Sequence, residues 1–207
     1  MKEAYFPIKE FFYSLQGEGF HSGIAAYFIR FEGCDIRCNW CDTKYSWKIK
    51  KEDFIPIKEI IANIRRNKVK NIIITGGEPM MWDLSPLTKG IKNMGLGCKI
   101  HVETSGSYLI KDKNIDWVTI SPKKNRLPLD ENYKKKIHEL KVIIFNEDDF
   151  LFAEKQSSFV KNKENCIFSL QPEWNNFNYI IPKIITYIKE NPKWRLSLQI
   201  HKMINIP

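Results

Sequence analysis

Three cysteines, Cys34, Cys38 and Cys41, fall within eight residues of one segment, Gly33-Cys34-Asp35-Ile36-Arg37-Cys38-Asn39-Trp40-Cys41-Asp42-Thr43. Their spacing is C-x3-C-x2-C. A structural zinc site takes four protein ligands, and a second Cys/His pair at matching spacing is absent, since Cys98 and Cys166 each stand alone. A four-iron cluster ordinarily takes four thiolates. Three leave one iron without a protein ligand. That iron can bind a chelating molecule and pass it an electron once the cluster is reduced. A partial zinc site or plain burial is the alternative, and the scarcity of cysteine elsewhere in the chain weighs against it. Cys98 and Cys166 lie beside apolar runs and read as small buried side chains.

Such a loop needs a rigid support, and the chain offers a series of short apolar runs. They are Ala26–Phe31, Ile72–Ile74, Ile100–Val102, Trp117–Ile120, Leu140–Phe145, Ile167–Leu170 and Leu196–Ile200. Continuous runs of this length read as buried parallel strands. Between them, Ile57, Ile60, Ile61 and Ile64 recur at helical spacing and predict a helix over Ile57–Ile64. Leu84–Met94 and Tyr179–Ile188 carry similar patterns, whereas the gap Ser105–Asp116 is too short for a crossover helix and its two turns. The pattern predicts an α/β fold: a partial, open β/α barrel of mostly parallel strands with some crossover helices missing. Chemistry in such folds sits at the C-terminal ends of the strands. Here the unusual short sequences all follow the apolar runs, which argues for one shared site.

Bulk properties narrow the class. With 207 residues and 43% hydrophobic content, one domain over residues 1–207 with a real core is expected, not disorder. The net charge of +9 comes from 27 Lys and 6 Arg against 24 acidic residues. Scattered lysine reads mainly as a solvated surface, and neither arginine clusters nor an aromatic RNA-binding signature points to nucleic acid. No apolar run reaches the roughly 18 residues of a transmembrane helix. Met1–Leu15 lacks the apolar centre of a signal peptide, and the C-terminus carries no lipidation signal. A cytoplasmic protein without membrane association is expected, in a compartment where thiols stay reduced.

At the cysteine loop the chain resembles the radical S-adenosylmethionine superfamily, whose hallmark is C-x3-C-x2-C with an aromatic residue before the last cysteine, here Trp40. The resemblance narrows to the 7-carboxy-7-deazaguanine synthase family. It is carried by Leu15-Gln16-Gly17-Glu18-Gly19, Arg30, Cys41-Asp42-Thr43 and Thr75-Gly76-Gly77-Glu78-Pro79. Further on, Glu103-Thr104-Ser105-Gly106, Ser121-Pro122-Lys123 and Gln171-Pro172 continue the family's order over nearly the whole chain. Gly-Gly-Glu-Pro is shared across the superfamily, while Leu-Gln-Gly-Glu-Gly, Cys-Asp-Thr and Ser-Pro-Lys together are specific. The resemblance implies a lyase of deazapurine (preQ0/queuosine) biosynthesis. That reaction converts 6-carboxy-5,6,7,8-tetrahydropterin to 7-carboxy-7-deazaguanine with loss of ammonia. The implied cofactors are a [4Fe–4S] cluster, S-adenosylmethionine and Mg²⁺. A homodimer and an electron donor such as flavodoxin or ferredoxin are implied too.

The same resemblance assigns residues. Cys34, Cys38 and Cys41 would bind three irons as thiolates. Gly76 and Gly77 would let backbone approach the cofactor without a Cβ. Glu78 would accept a bond from the cofactor amine, or is simply a solvated loop acid. Trp40, Asp42, Ser121, Pro122 and Lys123 would lie around the cofactor, as would Gln171, Pro172, Glu173 and Trp174. Asp42 reads equally as an Asx turn. Thr43 would offer Mg²⁺ a hard oxygen ligand while the substrate carboxylate completes the shell; the alternative is a turn-capping threonine. On the substrate, Gln16 and Glu18 would read the amino-pyrimidinone edge, flanked by Leu15, Gly17 and Thr75. Arg30 would fork onto the carboxylate, or forms a surface ion pair. Pro207 would close over the substrate, and His201-Lys202 could serve the same pocket. His21, His101 and His138 show no partner pattern and read as ordinary hydrogen-bonded histidines.

Two departures and two rivals accompany this reading. Some family members carry a longer insert between the first two cysteines, which is absent here, and Lys124 stands where some have proline. A glycyl-radical-enzyme activase would share the cluster and Gly-Gly-Glu-Pro but has no use for Gln16, Glu18 or Thr43. A non-enzymatic iron–sulfur RNA-binding module would use the +9 charge and show strongly salt-dependent binding.

Overall fold

Residues 3–135 and 137–207 are described by a computed structural model. A nine-stranded sheet organises them, in the order β3-β1-β2-β4-β5-β6-β7-β8-β9. The strands are β1 (Tyr5–Leu15), β2 (Ala25–Phe31), β3 (Phe54–Pro56), β4 (Asn71–Gly76), β5 (Lys99–Thr104), β6 (Trp117–Ile120), β7 (Glu139–Ile144), β8 (Ile167–Pro172) and β9 (Trp194–Leu196). From β2 onward all neighbours run parallel, while β1 pairs antiparallel with both β2 and β3. This is the open, partial barrel the apolar runs predict.

Helices α1 (Ile57–Asn67), α2 (Ser85–Lys92), α3 (Asp130–Lys135), α4 (Asp148–Phe159) and α5 (Phe177–Glu190) sit in the connections, with a short α6 (Ile200–Met203) at the end. Between β5 and β6 there is none, as the gap length requires. The stripe of α1 buries Ile60 and Ile64 completely against the sheet, each contributing about 1.5–3 kcal/mol. Its chain reversal at Lys68 adopts the left-handed conformation, φ 50°, where glycine is the usual choice. No helix among the described residues is long and apolar enough to cross a membrane.

Side-chain alternation decides what each face of the sheet does. On β7, Leu140, Val142 and Ile144 join the apolar core shared with the helices, whereas Lys141 and Ile143 line a cavity on the opposite face. On β8, Phe168 and Leu170 go to the core and Gln171 to the cavity. The strands are therefore dry on the helix side and polar inside.

Two sequence expectations shift. The expected strand Leu196–Ile200 is found two residues earlier, because Trp194, 1% exposed, anchors β9 while Ser197 and Gln199 turn their polar groups into hydrogen bonds inside the fold. Met1–Leu15 supplied an unrecognised strand: β1, eleven residues long, tolerates Lys and Glu because much of it is only half-buried.

The open sheet is bridged by loops. Residues 16–24, joining β1 to β2, reach across to the last strands: the Gly19 N–H donates to Ser197 Oγ (2.8 Å) and the Ile200 N–H to the Gly17 carbonyl (2.9 Å). Beneath this plug, Phe20, His21, His101, Trp117 and His138 form a ring stack, with His21 4.5 Å from His101 and 4.3 Å from Trp117 between centroids. His138 Nδ1 accepts from the Val118 N–H (3.0 Å), as an ordinary histidine does. His21 Nε2, by contrast, is buried without a hydrogen-bond partner among the described residues. Burial lowers the pKa of His101 to about 4 and also lowers that of His21.

Candidate active site

The cavity inside the sheet measures about 480 Å³, within the usual range for small-molecule sites. It runs from the cysteine loop to the plug made by residues 16–24. Nearly every residue the sequence singled out lines it. Pro122 does not: it is buried beside Ser121 and turns away from the cavity.

At one end, Cys34, Cys38 and Cys41 are half-buried free thiols. The loop between the first two reverses at Arg37, which sits at φ 50°. Its conformation is stapled from outside: Asn125 Nδ2 donates to the Ile36 carbonyl (2.6 Å), and Asp35 accepts from Tyr108 Oη (2.5 Å) and pairs with Arg126. From the other side, the Gly33 N–H donates to the Ser46 carbonyl (2.8 Å). Burial pushes the Cys34 and Cys38 thiols up, and backbone N–H groups of Arg37 and Ile36 work against that at Cys34. Among the described residues no three His, Cys, Asp or Glu side chains close on a single ion position, the thiols included. A four-iron cluster takes its thiolates on separate irons, and three loop thiols facing one cavity suit that donor set.

The Gly-Gly-Glu-Pro turn abuts this loop, and Gly76, Gly77 and Glu78 all line the cavity. A Cβ on Gly76 (φ 125°) would lie 2.3 Å from the Phe31 backbone, and one on Gly77 would lie 2.1 Å from the Gly33 carbonyl oxygen. The glycines thus let the turn press against β2 and the cysteine loop; it is protein that fills the space of the missing Cβ. Glu78 is 1% exposed. Its Oε1 accepts from the Met80 N–H (3.0 Å) and Thr104 Oγ1 (2.5 Å), and its Oε2 from the Ser105 N–H (2.8 Å) and Ser105 Oγ (2.5 Å). Through these four bonds Glu78 ties the turn to the end of β5, at the cavity wall.

The opposite end is built from charge. Lys141 Nζ, on a side chain 5% exposed, contacts Glu18 Oε2 at 2.6 Å and Glu103 Oε2 at 3.0 Å. Gln16 Nε2 donates to Glu103 Oε1 (3.3 Å), and Gln199 Nε2 to Glu18 Oε1 (2.8 Å). Burial works against the Glu18 charge, but Lys141 and Gln199 outweigh it and bring the carboxyl down to about 2. At Glu103 burial prevails, helped by Glu18 and Glu139, and the carboxyl is raised. Gly17 has its own reason: a Cβ there would lie 2.2 Å from His201 Nδ1, so the histidine packs directly on the plug. The sequence reading missed Lys141 and Gln199 and left Glu103 without a role. Lys141 had a signal, a lysine interrupting the apolar run Leu140–Phe145. Gln199 had none.

The walls join the two ends. Arg30 donates through Nε to Glu10 Oε1 (2.6 Å) and lies over the Phe12 ring; this pair orients the guanidinium while the residue still lines the cavity. Lys123 Nζ donates to Ser121 Oγ (2.6 Å), and burial lowers the lysine's pKa. Gln171 Oε1 accepts from Ser197 Oγ (2.7 Å), and Glu173 caps the turn after β8 through the Asn176 N–H (2.9 Å). Lys202 donates to Asp42 Oδ2 (2.6 Å) and lies over Trp174. Ser14 Oγ donates to the Pro207 carbonyl (2.8 Å) and draws the chain end to the cavity rim. Lys124 pairs with Asp149 instead of facing the site. Thr43 caps nothing with its side chain; its hydroxyl lies 3.5 Å from Cys41 Sγ and faces the cavity.

A partial barrel with three thiols facing one cavity at the C-terminal ends of its strands defines a class, and residues 28–139 match the Radical SAM superfamily profile. The chain is an enzyme of that superfamily, whose members hold a [4Fe–4S] cluster and S-adenosylmethionine. It is similar to the 7-carboxy-7-deazaguanine synthases of Flavobacterium psychrophilum (47% identical, covering 97% of this chain and 92% of the relative) and Synechocystis (42%, covering 97% and 93%). Its fold matches a crystal structure of QueE from Escherichia coli with TM-score 0.80 at 29% identity, covering 94% of this chain and 93% of that one. The chain belongs to the 7-carboxy-7-deazaguanine synthase family.

Proposed function

We propose that this chain converts 6-carboxy-5,6,7,8-tetrahydropterin to 7-carboxy-7-deazaguanine with release of ammonia. The observation that carries the reading is the two-ended cavity: thiols at one end and a fixed pair of carboxylates at the other, Glu18 and Glu103 on either side of Lys141. A carboxylate held ionised accepts the paired N–H groups of a 2-amino-pyrimidinone edge, and Gln16 lies beside it with an amide. Arg30, oriented by Glu10, offers its remaining N–H groups to a substrate carboxylate. Cys34, Cys38 and Cys41 would hold the cluster, with Trp40, Asp42, Ser121, Lys123 and the Gln171–Trp174 segment around S-adenosylmethionine. When bound, cluster and cofactor supply one-electron cleavage and a radical that removes a substrate hydrogen. The protein's own part is to orient the ring, exclude water and keep the reacting carbon near the thiol end.

Mg²⁺ belongs to this reading through Thr43, whose cavity-facing hydroxyl is a hard oxygen ligand. An acidic electron-transfer protein and a homodimer complete it. The test is anaerobic reconstitution followed by incubation with S-adenosylmethionine, reductant, Mg²⁺ and carboxytetrahydropterin. Mass spectrometry should show 7-carboxy-7-deazaguanine; 5′-deoxyadenosine without it would refute the substrate assignment. Thr43→Ala should lose the stimulation of turnover by Mg²⁺, and an unchanged Mg²⁺ titration would remove Thr43 from the metal site.

A further inference from the structure

We infer that Lys141 is a positioning residue for ring recognition: it clamps Glu18 and Glu103 into one rigid acceptor pair that selects a ligand bearing an exocyclic amine beside a ring N–H. The inference rests on the synthase reading and deepens it. Three observations converge. Lys141 comes from the middle of a buried strand, its ammonium bridges carboxylates from the plug and from β5, and its side chain is 5% exposed. Each carboxylate is fixed by a second, neutral donor, Gln199 on Glu18 and Gln16 on Glu103. Gln16, Glu18 and Gln199 lie outside the strands and Glu103 next to the last residue of β5, whereas Lys141 lies inside β7, in register with Ser169 of β8.

The physical consequence is a difference between two charge states. With Lys141 present, the cluster of Lys141, Glu18 and Glu103 holds its carboxylates as acceptors in a cavity that excludes most water. An acceptor pair of this kind rewards ligand N–H groups and leaves an unpaired buried carboxylate when they are missing. Without Lys141, burial of Glu18 is opposed only by the Gln199 hydrogen bond and weaker charges, while Glu103 adds repulsion. His201 remains near Glu18, and Lys123 contributes a weaker attraction. Glu18 then takes up a proton at a pH above the ordinary carboxylate range, and a protonated carboxyl no longer accepts from both ligand N–H groups.

The test uses calorimetric binding of 7-carboxy-7-deazaguanine and of its analogue lacking the exocyclic amine, on the reconstituted enzyme, from pH 5 to 8. Wild type should prefer the amine-bearing ligand by at least about tenfold at every pH. Lys141→Met should bring the preference close to one and make binding of the amine-bearing ligand weaken as pH falls. Should that variant fold poorly, Lys141→Met with Glu103→Gln, which removes one charge of each sign, should show the same loss of preference. A preference kept in either variant, with no new acid limb, overturns the role of Lys141. A wild type that binds neither ligand overturns the synthase reading itself.

Discussion

The two ends of the cavity are held together by different physics. The thiol end is fixed mostly by local contacts: glycines that admit a neighbouring carbonyl, an asparagine on the Ile36 carbonyl, an outer Asp35–Arg126 pair, and one glutamate bonded by hydroxyls and N–H groups. The floor is fixed by ion pairs among Lys141, Glu18 and Glu103. Reading a polar ring calls for fixed charges with open lone pairs, which the long-range ion pairs of the floor supply. The difference teaches that rigidity here has two sources, and substitutions should separate them.

Cys38→Ala gives the largest separation. It removes a thiolate at the cysteine end, so iron content and formation of 5′-deoxyadenosine should fall to background. Calorimetric binding of 7-carboxy-7-deazaguanine should persist within a fewfold, since the charged floor is untouched. Loss of both together would mean that the ends fold as one unit. Next comes Glu78→Gln. An amide cannot accept four hydrogen bonds, and buried donors on Met80, Thr104 and Ser105 lose partners. Stability should drop by about 2–4 kcal/mol, read by denaturant titration of the cluster-free protein. A drop below about 1 kcal/mol would show that the turn is held by its glycine contacts instead.

The same division explains what the sequence made legible. The thiol end is local: cysteines within eight residues and a Gly-Gly-Glu-Pro turn are visible as strings. The floor is assembled from residues 16, 18, 103, 141 and 199, whose partners lie 38 to 181 positions apart. Only the alternation of strand faces brings them together, and the apolar runs hid it, because they mark the core face of each strand. Lys141 could have been found by asking why a charge interrupts Leu140–Phe145. The partners of Glu78 were not legible either, because a motif names a residue without its neighbours; the hydroxyls of Thr104 and Ser105 that bond it come from a different strand end.

Glu18→Gln probes the charged floor directly. It keeps the shape and removes the charge that accepts ligand N–H groups, so KM should rise about 10- to 100-fold, equivalent to about 1.5–3 kcal/mol for bonds to a charged group. Uncoupled cleavage of S-adenosylmethionine should stay near the wild-type rate. The pH dependence has a definite sign. A carboxyl lowered to about 2 in the folded protein, against an ordinary value near 4.5, stabilises the fold above pH 4.5 and ceases to do so as pH falls through 2. Glu18→Gln should flatten that acid limb in a stability–pH titration.

Gln199 gives the smallest and most informative effect, because it touches both ends. Its Nε2 donates to Glu18 Oε1 at 2.8 Å and to Asp42 Oδ2 at 3.2 Å, so one neutral amide connects the floor to the residue after the third cysteine. Lys202 also reaches Asp42 and keeps that carboxylate paired when the amide is gone. Gln199→Ala should therefore cost about 1 kcal/mol in ligand binding, roughly a fivefold rise in KM, with iron content unchanged. If the two ends are independent, Gln199→Ala and Cys38→Ala should add in their effects on product binding. Coupling between them above about 0.5 kcal/mol in a double-mutant cycle would show that the amide transmits the state of the cysteine loop to Glu18.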